Sequence, residues 1–114
     1  MSIPHLLCVG YDRTVTHSRA LVLRHAGFVV DEAFNLKGAL GLVKLDLVDV
    51  LLLCHTLSKT EQRWLIAEVR KVRRMLPIVC VQSHDHDSPQ ADCTGAPNDP
   101  AGLVETVMLA LRLP

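Results

Sequence analysis

Asp49-Val50-Leu51-Leu52-Leu53-Cys54-His55 is the stretch that decides the fold. A strand with one wet face alternates apolar and polar residues. A strand covered on both faces reads as an unbroken apolar run. Val50 to Leu53 is such a run, so it predicts a central strand of a parallel sheet.

The flanking sequence supplies the other layers. His5 to Val9 is a second compact apolar run and predicts the first strand. Arg13 to Ala26 follows at helical period, with Val15, Leu21 and Val22 in its apolar set. Gly27 then suits the residue after the helix end, where a positive φ is needed. Phe28 to Ala33 reads as a strand. Asn35 caps a helix over Leu36 to Lys44, with Ala39, Leu40 and Val43 on one side. Gly38 and Gly41 weaken that helix and are expected to allow close contact with the sheet. Ser58 and Glu61 have capping-box spacing ahead of the longest helix, about Lys59 to Met75. Leu65, Ile66, Val69 and Val72 form its apolar face. Pro77 to Val81 reads as the fourth strand and Ala91 to Thr94 as a weak fifth. Asp99 caps the last helix with Pro100 in its first turn. Leu103, Val104, Val107, Met108 and Leu111 make its stripe.

Strands alternating with helices mean right-handed βαβ units on a parallel sheet. The expected fold is therefore α/β, a doubly wound three-layer sandwich of five strands and four full helices. At 114 residues the chain is expected to be one domain, spanning 1–114.

Composition excludes several classes. The formal charge is zero, which argues against nucleic acid as the main partner. No apolar run approaches the roughly 20 residues of a membrane span. The start, Met1-Ser2-Ile3-Pro4-His5, has no charged region of the signal-peptide kind. A cytoplasmic location is expected, with Cys8, Cys54, Cys80 and Cys93 as reduced thiols. None of the four is spaced as CxxC.

In order and spacing, these segments resemble the receiver domain of two-component response regulators, the CheY-like, flavodoxin-like fold. The resemblance rests on Ala26-Gly27-Phe28-Val29-Val30-Asp31-Glu32-Ala33, Asn35 to Leu40, Asp49 to Cys54, and Ala96-Pro97-Asn98-Asp99-Pro100. It implies the strand order 2-1-3-4-5 and a site at the carboxyl ends of the strands. It also implies a phosphorylation chemistry. A working receiver carries an acidic pair for Mg²⁺ after the first strand and an acceptor Asp after the third. A Ser or Thr follows the fourth strand, and an aromatic switch residue and a Lys mark the fifth. Here the acidic pair falls on Gly10 and Tyr11, with Asp12 next. The acceptor falls on Cys54, the hydroxyl on Gln82, the switch on Cys93 and the Lys on Ala96. Asp49 begins the strand and is expected to point away from the site. The resemblance thus implies a degenerate, pseudo-receiver domain. Between the fourth and fifth strands only Ser83 to Gln90 is left, broken by Pro89. A parallel crossover takes at least about 10–12 residues. The helix that receivers carry there is expected to be lost or vestigial.

Two clusters carry alternative readings. Cys54-His55 is either a buried apolar cysteine or a thiol with a basic neighbour. His84 and His86, with the intervening carboxylates, are either a solvated loop or candidate metal ligands beside Cys54 and His55. A basic set on the longest helix (Lys59, Arg63, Arg70, Lys71, Arg73, Arg74) is a solvated face or an anionic partner's site. Trp64 is either packed or part of a partner surface, and Tyr11 is expected to fill the mouth of the pocket. The expected function is a stand-alone, non-enzymatic signalling domain acting by protein–protein contact, with no cofactor, no resident metal and no output domain attached. Its partner would be a histidine kinase, another regulator, or a second copy as a homodimer. The alternatives are a thiol or metal site on the same scaffold, and a small-ligand sensor in the vacated pocket.

Overall fold

Val50–Leu53 has no side facing water: all four residues are buried. This strand, β3, pairs in parallel with β1 (His5–Val9) on one side and β4 (Ile78–Val81) on the other. β2 (Val29–Ala33) and β5 (Thr94–Ala96) are the edges, giving a five-stranded sheet in the order β2-β1-β3-β4-β5. The computed structural model describes residues 3–54, 56–81, 94–96 and 99–112.

Alternation along each strand divides the core in two. Leu7, Val9, Leu51, Leu53, Ile78 and Cys80 face one layer, formed by α2 (Leu36–Lys44) and α3 (Lys59–Val72). Leu6, Cys8, Val50, Leu52, Val79 and Val81 face the other, formed by α1 (Arg13–His25) and α4 (Pro100–Arg112). The expected three-layer α/β sandwich and its strand order 2-1-3-4-5 are what the chain adopts.

The helix ends follow local chemistry. Asp12 caps α1 by accepting the Val15 N–H. At the other end, Gly27 N–H donates to the Arg24 carbonyl and Phe28 N–H to the Leu23 carbonyl. This pair of bonds is a Schellman motif, and Gly27 takes φ 101°, which glycine adopts without strain. Asn35 accepts the Gly38 N–H at 2.7 Å and Asp99 the Gly102 N–H at 2.7 Å. Ser58 and Glu61 form the expected capping box, each side chain accepting the other's backbone N–H. Removing the hydroxyl in Ser58→Ala orphans a donor at the start of α3. It is expected to lower stability by about 1 kcal/mol in urea unfolding.

Three expectations change. The buried face of α1 is Thr16, Arg19, Ala20 and Leu23, whereas Leu21 is exposed and Val15 and Val22 are half-buried. The small side chains of Thr16 and Ala20 let this face sit close to the sheet. α3 ends at Val72, which is exposed, because Arg73 leaves helical geometry (φ −130°, ψ 83°) and turns the chain toward β4. β5 is described over Thr94–Ala96, and the rest of its expected span, 91–93, lies outside the described residues. Its register against β4 pairs Val81 with Ala96, whose methyl completes the α1/α4 core. Finally, Gly38 and Gly41 are both exposed. A Cβ on Gly38 would meet only the capping Asn35, and one on Gly41 would meet nothing, so neither mediates helix–sheet contact.

The basic set near the end of α3 contributes ties to the flanking loops and within the helix. Arg73 pairs with Asp46 at 3.0 Å and donates to the Val48 carbonyl at 2.9 Å. Arg70 donates to the Leu76 carbonyl, and Lys71 pairs with Glu68. At the opposite edge, Glu32 is paired with Arg24 at 3.0 Å and His17 at 3.1 Å. Burial pushes the Glu32 carboxyl up, but the bonds from His17 and Arg24 outweigh it and hold it below its usual value. A carboxylate depressed in the folded state stabilises above its unfolded pKa and loses that stabilisation as pH falls through the folded value. Acid titration of Glu32→Gln is therefore expected to show a shallower stability loss below about pH 4.3 than the parent, read by thermal melts.

Candidate functional site

The carboxyl ends of β1 and β3 lie side by side. Val9 and Leu53 are in register, and the Cys54 N–H donates to the Val9 carbonyl at 2.8 Å. Gly10 and Cys54 therefore emerge together at the top of the sheet. Gly10 N–H in turn donates to the Ala33 carbonyl of β2 at 3.1 Å.

Around Gly10 the space is filled. A Cβ there would lie 2.5 Å from Thr16 Oγ1 and 2.9 Å from both Cys54 Cβ and Thr56 Oγ1. Only a residue without a side chain fits this contact. Thr16 and Arg19 reach it from the buried face of α1, and Cys54 is fully buried. Burial pushes the Cys54 thiol up, against the opposing pull of the Arg19 guanidinium and the Thr16 hydroxyl. Cys8, deeper on the same face, is raised further, also by burial first and then by Cys54. Both thiols are therefore held protonated at neutral pH, the reverse of what an activated nucleophile needs.

Tyr11 does not fill the pocket as expected. Its side chain is 44% exposed and its hydroxyl donates to the Glu61 carboxylate at the start of α3. Its backbone N–H donates to Thr56 Oγ1 at 3.1 Å. These two bonds lash the β1–α1 loop to the β3–α3 loop across the mouth of the site. The hydrogen bond to Glu61 raises the Tyr11 hydroxyl and lowers the Glu61 carboxyl. Asp12, the one acidic residue after β1, is committed to capping α1. Asp49 lies at the far end of the sheet, where its carboxylate accepts the His5 N–H at 2.8 Å.

This geometry is a sheet whose β1 and β3 ends converge beneath the first turns of α1 and α3. Solved structures share the fold. A putative response regulator from Chloroflexus aurantiacus J-10-fl superposes with a TM-score of 0.83 at 27% identity, covering 98% of this chain and 100% of that one. A CheY-like response regulator receiver domain from Methanospirillum hungatei JF-1 gives 0.81 at 19% identity, covering 96% and 94%. The receiver domain of the hybrid histidine kinase CckA gives 0.78 at 21% identity, covering 95% and 99%. The fold is that of a response-regulator receiver domain. No protein-family model and no curated protein matches the sequence.

Within this receiver fold, the structure brings together Gly10, Tyr11, Asp12 and Cys54 at one point. Ala96 is buried at the end of β5. Gln82, Cys93, His55, His84 and His86 lie outside the described residues, as does the segment from 82 to 93 where the lost or vestigial helix was expected. Among the described residues no group of three or more His, Cys, Asp or Glu is placed to hold a metal ion, and no helix is long and apolar enough to cross a membrane. Sequence reasoning missed Thr16, Arg19, Thr56 and Glu61. Thr16 and Arg19 are polar residues on the sheet-facing side of α1, where pattern reading counts polar residues outward. Trp64, 44% exposed on α3, stands on the outer side of its helix.

Proposed function

We propose that this chain is a single receiver-like signalling domain that acts through protein–protein contact, without phosphorylation of an aspartate at the end of β3. The observation that carries the reading is Cys54. An acyl phosphate needs a carboxylate, and the residue at the end of β3 is a buried, protonated thiol. Its surroundings support the same reading. The position beside it is Gly10, closed by Thr16 and Thr56, where an acidic side chain would have to hold a divalent ion. Asp12 is occupied as a helix cap, and Ala96 offers no cation to read a phosphoryl group. The domain is then non-enzymatic, and its partners are proteins: a histidine kinase, another regulator, or a second copy of itself.

Amide spectra recorded with and without Mg²⁺ and beryllofluoride test this. Beryllofluoride builds an acyl-phosphate mimic on a receptive carboxylate. The amides of Gly10, Cys54, Thr56 and Ala96 are expected to stay in place. A concerted shift of those amides overturns the proposal.

A further inference from the structure

The outer face of α4 carries a second, unrelated pattern. Leu103, Val107 and Ala110 point into the sheet and are buried. On the opposite side, Ala101, Glu105, Met108 and Arg112 follow one another at spacings of four, three and four residues, a single stripe along the helix. Leu109 adjoins it. Met108 is 45% exposed and Leu109 54% exposed, so the stripe presents an apolar centre to solvent. With Val22 of α1, these residues line a groove of about 610 Å³.

The charges on this stripe are arranged symmetrically. Glu105 lies one turn before the Met108–Leu109 centre and Arg112 one turn after it. Now consider a second α4 packed antiparallel across a twofold axis through that centre. Met108 meets the partner's Leu109, and Glu105 meets the partner's Arg112. The same two contacts recur on the other side of the axis. A twofold interface must be complementary to itself, and this one is, in both its apolar centre and its opposite charges. A second copy packed parallel would instead set Glu105 against Glu105 and Arg112 against Arg112.

We infer that α4, with the neighbouring edge of α1, is a homodimer surface on which two copies pair antiparallel through Met108 and Leu109, flanked by two Glu105–Arg112 ion pairs. The inference rests on the proposed reading that the domain works by protein contact, and it names the partner as a second copy. A two-helix contact of this kind falls below about 1,200 Å² of buried surface, so the dimer is expected to be transient, forming at roughly tens of micromolar.

Sedimentation velocity over a micromolar-to-millimolar concentration series tests it. The parent chain should pass from monomer to dimer. Glu105→Arg places like charges opposite each other, as does Arg112→Glu, and each should weaken the dimer at least about tenfold. The double variant Glu105→Arg/Arg112→Glu restores opposite pairs and should recover dimerisation. Both positions are exposed, and unchanged thermal midpoints should show that the fold is kept. A parent that stays monomeric throughout overturns the inference, as does a dimer indifferent to both single reversals or a double variant without recovery. These results are independent of the beryllofluoride spectra, so failure of self-pairing and failure of the phosphorylation-free reading are seen separately.

Discussion

Gly10→Asp is expected to destabilise the fold by roughly 3–5 kcal/mol in urea unfolding, although the resemblance to receivers would put an acidic residue there. Two costs combine. The new Cβ would sit 2.5 Å from Thr16 Oγ1 and 2.9 Å from Cys54 Cβ, so the α1–sheet contact has to open. Overpacking of this kind costs about 1–3 kcal/mol. A carboxylate placed beside the buried Cys54 then adds the desolvation of a charge. Gly10→Ala isolates the steric part and should cost about 1–3 kcal/mol. A Gly10→Asp variant as stable as the parent would show that the site is open and that the packing described around Gly10 is wrong. In the proposed reading the site is structural. The hydroxyls of Thr16 and Thr56 and the side chain of Cys54 fill the space that charge and metal would need.

Leu51→Ala is expected to remove about 3–4 kcal/mol, again by urea unfolding with an unchanged denaturant slope. Leu51 is fully buried at the centre of β3, between Leu7 of β1 and Ile78 of β4, beneath α2 and α3. A cavity there has rigid strands on both sides and cannot collapse cheaply. Truncation of the exposed Leu45, at the end of α2, should by contrast stay within about 0.5 kcal/mol. If the two variants cost the same, β3 is not the centre of the core.

The central strand and the caps were legible because each depends on neighbours in sequence. Val50 to Leu53 has no polar residue to turn outward, and Asn35, Ser58–Glu61 and Asp99 bond within one helical turn. The buried face of α1 was not legible. Thr16 and Arg19 carry polar groups into the layer between helix and sheet, and periodicity assigns such residues to solvent. β5 was only weakly legible because three small residues, Thr94, Gly95 and Ala96, give little apolar signal. Their position is set by pairing with β4. In the site, the residue that follows β3 could be read directly as Cys54. Its surroundings could not. The Tyr11–Glu61 bond joins residues 50 positions apart, and the fit around Gly10 joins β1, β3 and α1. Such contacts exist only once the sheet has brought its strand ends together.

The chain has the sheet order and helix layers of the receiver fold, with a cysteine rather than a carboxylate after β3. Its remaining means of carrying a signal, in the reading proposed here, is its surface, with α4 the best-defined part of it. The direct test is the intact mass of the protein after incubation with acetyl phosphate and Mg²⁺. The account predicts an unchanged mass. A stable gain of one phosphoryl group, removable by hydroxylamine as an acyl phosphate is, would contradict it.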